Sequence, residues 1–136
     1  MLLIAFAVFL STYLFVFLLF SLKHMKRQIM LEKNLDPVSF LIPAHNEGKK
    51  ITASLSSALS QKGILIKEIV VVVDNSTDIT AEICKTLARK NPSVIILSKN
   101  DNQPSKSKAM LLGLEEINTK YVVLLDADTI LEKNAV

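Results

Sequence analysis

The apolar positions of this chain follow three patterns, and each predicts a different element. The first is one continuous run. Residues 2–22 read LLIAFAVFLSTYLFVFLLFSL, interrupted only by Ser11, Thr12, Tyr13 and Ser21. A helix of that length reaches roughly 30 Å, the thickness of a bilayer's hydrocarbon core. The run therefore predicts a transmembrane anchor over residues 1–22. A cleaved signal peptide would show a basic stretch first and a small-residue cleavage site afterwards, and Leu22, Lys23, His24 and Met25 form no such site. The second pattern is a set of short Val- and Ile-rich runs at residues 38–42, 69–73, 94–97 and 121–125. They lack polar alternation, as strands covered on both faces do. The third is helical spacing between them: Ile51, Leu55, Ala58 and Leu59, then Ile79, Ile83 and Leu87, then Met110, Leu114 and Ile117. Strand–helix–strand repeated three times predicts an α/β fold, a Rossmann-like parallel sheet with right-handed crossovers.

Charge changes the picture at one place. The chain carries 16 Lys+Arg against 13 Asp+Glu in 136 residues. Residues 1–22 carry no charge, and the formal +3 resides in Lys23, Lys26, Arg27, Glu32 and Lys33. A nucleic-acid binder would spread positive charge over a folded surface, so no nucleic-acid partner is expected. Basic residues flanking a span stay on the cytoplasmic side, which predicts a single-pass protein of the cell membrane with its N-terminus out and its domain cytoplasmic. Residues 23–37 read as a basic juxtamembrane linker, and this linker and the loop at 100–105 are the expected flexible parts. One Cys excludes an internal disulfide and suits a reducing compartment.

Ligands of open α/β sheets bind at the carboxyl ends of the strands, and polar residues collect there. Pro43, His45, Asn46 and Glu47 follow the first run, Asp74 to Asp78 the second, Lys99 to Asn102 the third, and Asp126 and Asp128 the fourth. Two carboxylates spaced two apart would share one side of an extended backbone and repel unless a cation sits between them. Hard oxygen ligands favour Mg2+ or Mn2+, ions that also hold substrate phosphates. The competing reading is a turn with solvated carboxylates. Asp74 at a strand tip can accept from a ring N–H of a base, whereas Asp78 reads as a helix cap. Asn46 and Glu47 can cap the first helix, or Glu47 can accept from ribose hydroxyls. Lys106, opening the third helix, can neutralise a diphosphate or be a solvated lysine. Cys84 reads as a small core residue, and His45 has no evident partner. No glycine-rich phosphate loop is present, which removes dinucleotide and P-loop readings.

The order and spacing of these segments resemble a known family. Residues 38–47 (VSFLIPAHNE) resemble the opening strand of family 2 glycosyltransferases, usually Pro-x-x-Asn-Glu. Residues 71–80 (VVVDNSTDIT) are similar to their second-strand motif, and residues 105–114 (SKSKAMLLGL) to the segment usually written Gly-Lys-x-x-Ala-Leu-x-x-Gly-Leu. Residues 121–129 (YVVLLDADT) resemble the strand ending in the family's Asp-x-Asp. The resemblance implies a GT-A fold, with residues 38–136 as the N-terminal, nucleotide-sugar-binding half of a glycosyltransferase domain.

It also implies roles for particular residues. Asp74 would bind the base of a nucleotide-diphosphate sugar, a UDP-sugar, with Glu47 and the Pro43 loop beside the nucleoside. Lys106 would lie on the phosphate side, Asp126 against the ribose or donor sugar, and Asp128 on a divalent metal, Mg2+ or Mn2+. The family inverts the anomeric centre, and its membrane-anchored members extend polysaccharides or glycosylate lipids. Two small departures are Ser105 where the family has Gly, and Ser107. A larger one is that the acceptor site and general base would lie beyond Val136. The truncated sheet is therefore expected to leave apolar surface exposed, and the chain alone to be inactive. The alternative is a non-catalytic, membrane-tethered nucleotide-binding or assembly fragment, completed by a chain that supplies the C-terminal half. A nucleotidyltransferase is the third reading, and it would normally show a glycine-rich opening loop.

Overall fold

The computed structural model describes residues 1–33, 36–101 and 103–136, and within the N-terminal helix the side chains of residues 1, 4, 6 and 8–24. The chain divides into two compact units, Met1–Leu35 and Asp36–Val136.

The first unit is a single helix, α1 (Leu2–Lys33). The hydroxyls of Ser11 and Thr12 donate back to the carbonyls of Val8 and Phe9 at 2.9 and 2.8 Å, which keeps them satisfied inside the helix. The helix does not stop where the apolar run stops: it continues through charged Lys23 to Lys33. Among the described residues, no helix is long and apolar enough to cross a membrane, and this overturns the expected transmembrane anchor. The side chains of Lys26, Arg27 and Lys33, on which the expected topology rested, lie outside the described residues. So do Asn34 and Leu35 of the expected linker and Asn102 of the expected flexible loop.

The second unit is built from β1 (Pro37–Ala44), α2 (Ile51–Leu59), β2 (Leu65–Asp74), α3 (Thr80–Lys90), β3 (Val94–Lys99), α4 (Lys106–Glu116) and β4 (Tyr121–Leu124). All strand pairs are parallel, in the order β3-β2-β1-β4. The four expected strands and three expected helices are present. β2 begins earlier than its apolar run because Leu65–Ile66 already pair with β1 at Pro37–Val38. That first stretch alternates exposed and half-buried positions, so its strand character is invisible to a search for continuous apolar residues. β3 extends past Leu97 because Ser98 and Lys99 pair with Val73 and Asp74. This two-residue extension sets Lys99 beside Asp74.

Each face of the sheet has its own core. On one, Phe40, Ile42, Ile69, Val71 and Val73 pack with Ile51 and Leu55 of α2 and Cys84 of α3. On the other, Leu41, Val70 and Val72 pack against Ala109 of α4. Burying each of the larger side chains contributes about 1.5–3 kcal/mol relative to exposure. Cys84 is a core residue as expected: burial, then the charge of Asp78, pushes its thiol pKa up to about 11, so it is no nucleophile. β4 forms one edge of the sheet, and Tyr121, Val122 and Leu124 on it are exposed.

Candidate functional site

The carboxyl ends of the parallel strands open into a cleft of about 410 Å³. Pro43, Glu47, Asp74, Lys106, Asp126 and Asp128, the six candidates from sequence, all line it. They come from three strand ends and the first residue of α4.

Asp74 is the most constrained of them. It ends β2, is 1% exposed, and accepts from Lys99 Nζ at 2.7 Å on one oxygen and from Ser105 N–H at 2.6 Å on the other. A carboxylate has about four acceptor positions, so two remain for a ligand in the cleft. Lys99 is itself buried. Its ammonium also donates to an Asp101 carboxylate oxygen at 2.5 Å and to the Gln103 carbonyl at 3.3 Å, which uses all three of its donors. Burial works against the ammonium charge, but the hydrogen bonds to Asp101 and then Asp74 outweigh it and hold the Lys99 pKa above the ordinary lysine value. The same Lys99 hydrogen bond holds the Asp101 carboxyl below its ordinary value. One buried lysine therefore ties the end of β2 to the loop that leads into α4. The sequence places Lys99 at this rim but gives it no partner, because that signal is a β2–β3 register that a single strand cannot show.

Ser105 carries two roles. Its backbone N–H meets Asp74, and its side chain, at the N-cap of α4, accepts from Lys108 N–H. The replacement of the family's Gly by Ser is accommodated because the residue is extended, with φ −154°, a conformation any L-residue adopts.

The first two strand ends are laced together by side chains. His45 donates from Nδ1 to the Asp74 carbonyl at 2.7 Å and, on Nε2, accepts from the Asn46 amide at 3.3 Å. A carbonyl can only accept, so this pairing assigns the hydrogen to Nδ1. Asn46, in the left-handed region at φ 54°, does not cap α2. Its carboxamide oxygen accepts instead from the backbone N–H of Thr77 at 2.8 Å, across the cleft wall. Asp78 accepts from the Thr80 hydroxyl and N–H and, on its other oxygen, from Gly48 N–H at 3.1 Å. The Thr80 hydroxyl bond comes first among the influences that hold its pKa below the ordinary aspartate value. It is a structural fastener at the start of α3, as its sequence position suggests.

Asp126 and Asp128 lie just past β4, in a turn closed by Thr129 N–H donating to the Asp126 carbonyl at 3.0 Å, and not on a continued strand. Ala127 between them is buried, so the turn still presents both carboxylates to the cleft. Each is about half exposed and each has a lysine partner: Lys106 for Asp126, and Lys50 at 3.4 Å for Asp128. Among the described residues no cluster of three or more His, Cys, Asp or Glu side chains could hold a metal by itself. Two hard carboxylates in an open cleft nevertheless suit Mg2+ or Mn2+, which keep waters and bind through one or two carboxylates plus substrate phosphates. Asp126 and Asp128 could thus hold a divalent ion only if its remaining ligands were supplied from outside the chain.

Comparison with known proteins gives this cleft a context. A model of Glycosyl transferase family 2 matches residues 39–136. Poly-beta-1,6-N-acetyl-D-glucosamine synthase of Staphylococcus aureus (strain COL) is 34% identical over 101 residues, which are 74% of this chain and 24% of that protein. The synthase of the same description from Staphylococcus epidermidis is 33% identical over 103 residues, again 24% of its length. The chain thus spans about a quarter of these relatives. Among solved structures, S. aureus TarS 1-349 in complex with UDP-GlcNAc superimposes with a TM-score of 0.60 at 28% identity, over 71% of this chain and 28% of that one. A mannosyltransferase from Pyrobaculum calidifontis in complex with GDP-Man and Mn2+ gives 0.64 at 22% identity, over 82% of this chain and 35% of that one, a likeness of fold alone. The parallel sheet is of the GT-A type, and the chain belongs to glycosyl transferase family 2.

Proposed function

We propose that this domain holds the nucleotide-diphosphate-sugar donor of an inverting sugar transfer. In this reading Asp74 accepts from a base N–H, and Glu47, beside the Pro43 loop, meets the ribose. Asp126 lies against the ribose or donor sugar. Lys106 faces the diphosphate, and Asp128 holds a divalent ion. When bound, that ion would supply Lewis-acid stabilisation of the departing diphosphate. The observation that carries the reading is the convergence of all six residues on one cleft at the carboxyl ends of the sheet. UDP-GlcNAc, the ligand in the TarS complex, makes a UDP-sugar the first donor to test. The acceptor would be a growing polysaccharide or a lipid, and the donor would be met on the cytoplasmic side.

A second reading is favoured by the exposed β4 edge and the exposed Ile130 beyond it: a nucleotide-binding module completed by a further chain that covers this edge. Transfer by the purified protein, given a UDP-sugar, Mn2+ and an oligosaccharide acceptor, would eliminate that reading.

The metal role has a separate test. Asp128→Ala should remove the Mn2+-dependent gain in UDP affinity, about tenfold or more, and leave the metal-free affinity near that of the unaltered protein. Calorimetric titration of UDP with and without Mn2+ reads both quantities. A full Mn2+-dependent gain in the Asp128→Ala protein would refute the assignment.

A further inference from the structure

Lys50 lies outside every motif that defines the cleft, yet its ammonium reaches one of the two carboxylates on which the proposed function depends. Its backbone is pinned just before α2, where Lys50 N–H donates to the Glu47 carbonyl at 2.9 Å. Its side chain is 59% exposed and meets Asp128 Oδ2 at 3.4 Å. From the opposite side Lys106 meets Asp126. Both carboxylates of the turn are thus already neutralised by lysines, one from the start of each flanking helix.

A divalent ion cannot simply add to this arrangement. Mg2+ binds a carboxylate oxygen at about 2.0–2.1 Å, and an ammonium already within hydrogen-bonding range of the same carboxylate would then lie a few ångströms from a doubly charged ion. The two cations repel, so the ion is held tightly only when a neighbouring ammonium moves away. Lys50 is the one free to do so. Its contact is long, its stem is solvated, and an exposed pair of this kind is weak. Its pinned backbone keeps it beside the Asp126–Asp128 turn, where an anion arriving with the ion would offer it a new partner.

We propose that Lys50 is a positioning residue that serves as the resident counter-ion of Asp128. In the ligand-free protein it competes with the divalent ion for that carboxylate, and when a nucleotide diphosphate enters with the ion it moves to the phosphate oxygens. Only the second half rests on the donor-binding reading; the competition at Asp128 stands on the ion pair itself. The arrangement makes metal alone a poor ligand and metal with diphosphate a good one. This follows because the Asp126–Asp128 turn offers two carboxylates, both paired, and among the described residues no group of three or more His, Cys, Asp or Glu side chains could hold an ion by itself.

The test uses free Mn2+ measured by electron paramagnetic resonance, with and without saturating UDP, on the unaltered protein and on Lys50→Met, Lys50→Arg and Lys50→Met with Asp128→Ala. Lys50→Met should bind Mn2+ alone more tightly, by up to about fivefold, the worth of an exposed pair. The same variant should bind UDP in the presence of Mn2+ more weakly, by a similar factor. Lys50→Arg should restore both values, and adding Asp128→Ala to Lys50→Met should remove the gain seen with Mn2+ alone. A purely structural role for Lys50 would weaken both affinities together. Parallel changes, or no change with Mn2+ alone, would overturn the proposal. Tighter Mn2+ binding in Lys50→Met, in a protein that shows no UDP binding, would retain the competition at Asp128 and refute the donor reading instead.

Discussion

Replacing Asp74 by Ala is expected to weaken UDP binding about 100-fold, whether or not Mn2+ is present. Two losses combine. The base loses a charged acceptor, and a hydrogen bond to a charged group contributes about 1.5–3 kcal/mol, or roughly 10- to 100-fold in affinity. The cleft also loses its fastening, since Ser105 N–H and one donor of buried Lys99 both end on Asp74. The remaining partners of the Lys99 ammonium, Asp101 and the Gln103 carbonyl, hold it to the loop, and its side chain no longer bonds to β2. The thermal midpoint should therefore fall as well, because the buried Lys99 ammonium loses its buried carboxylate and keeps only the more exposed Asp101. The double variant Asp74→Ala with Lys99→Met separates the two effects. It should recover part of the stability, because the buried ammonium that lost Asp74 is removed as well, and none of the affinity, because the base acceptor is still absent. Contacting residues behave non-additively in this way. Unaltered UDP affinity in Asp74→Ala would remove Asp74 from the site.

Gly113→Val is expected to lower stability by about 2–3 kcal/mol through overpacking, and the midpoint by roughly 10–20 °C for a domain of this size. Gly113 lies in α4 where the helix presses on the sheet. A Cβ there would come within 2.2 Å of Leu41 Cδ1 and 3.0 Å of Val72 Cγ2. Leu41 and Val72 are themselves in the core, so neither side chain has room to retreat and α4 must lift. The lift has a functional consequence, because α4 begins at Lys106 and is capped by Ser105. The variant should accordingly lose UDP affinity without any change to a cleft residue. Gly113→Ala should show the same signs at smaller size, offset in part by alanine's better helix propensity, about 1 kcal/mol. Thermal denaturation followed by circular dichroism measures the first effect. A midpoint unchanged in Gly113→Val would mean that α4 is not held this closely.

Most of the second unit is legible in the chain because its signals are local. Four Val- and Ile-rich runs define strands, the intervening spacing defines helices, and the residues just after each run must share one rim of a parallel sheet. That reasoning suffices to gather Glu47, Asp74, Lys106, Asp126 and Asp128 into a single cleft. What it misses is set by register and by distance along the chain. Lys99 becomes a partner of Asp74 only through the β2–β3 pairing, and Lys50 reaches a carboxylate 78 residues away. Asn46 reads as a helix cap because caps are local, whereas its carboxamide bonds to the next loop, at Thr77. The Asp-x-Asp pair faces the cleft by way of a turn, with Ala127 buried as the pivot, and not through strand alternation. The N-terminal run misleads for the opposite reason. Counting apolar residue types predicted a membrane crossing that the described helix does not provide.

Titration of the purified protein with UDP by calorimetry, with and without Mn2+ and with ATP as the comparison nucleotide, tests the donor-site reading most directly. The expected result is saturable 1:1 binding of UDP, at least tenfold tighter with Mn2+ and clearly preferred over ATP, whose base would present a different pattern of donors and acceptors to Asp74. Binding of ATP as tight as that of UDP, or no response to Mn2+, would contradict it.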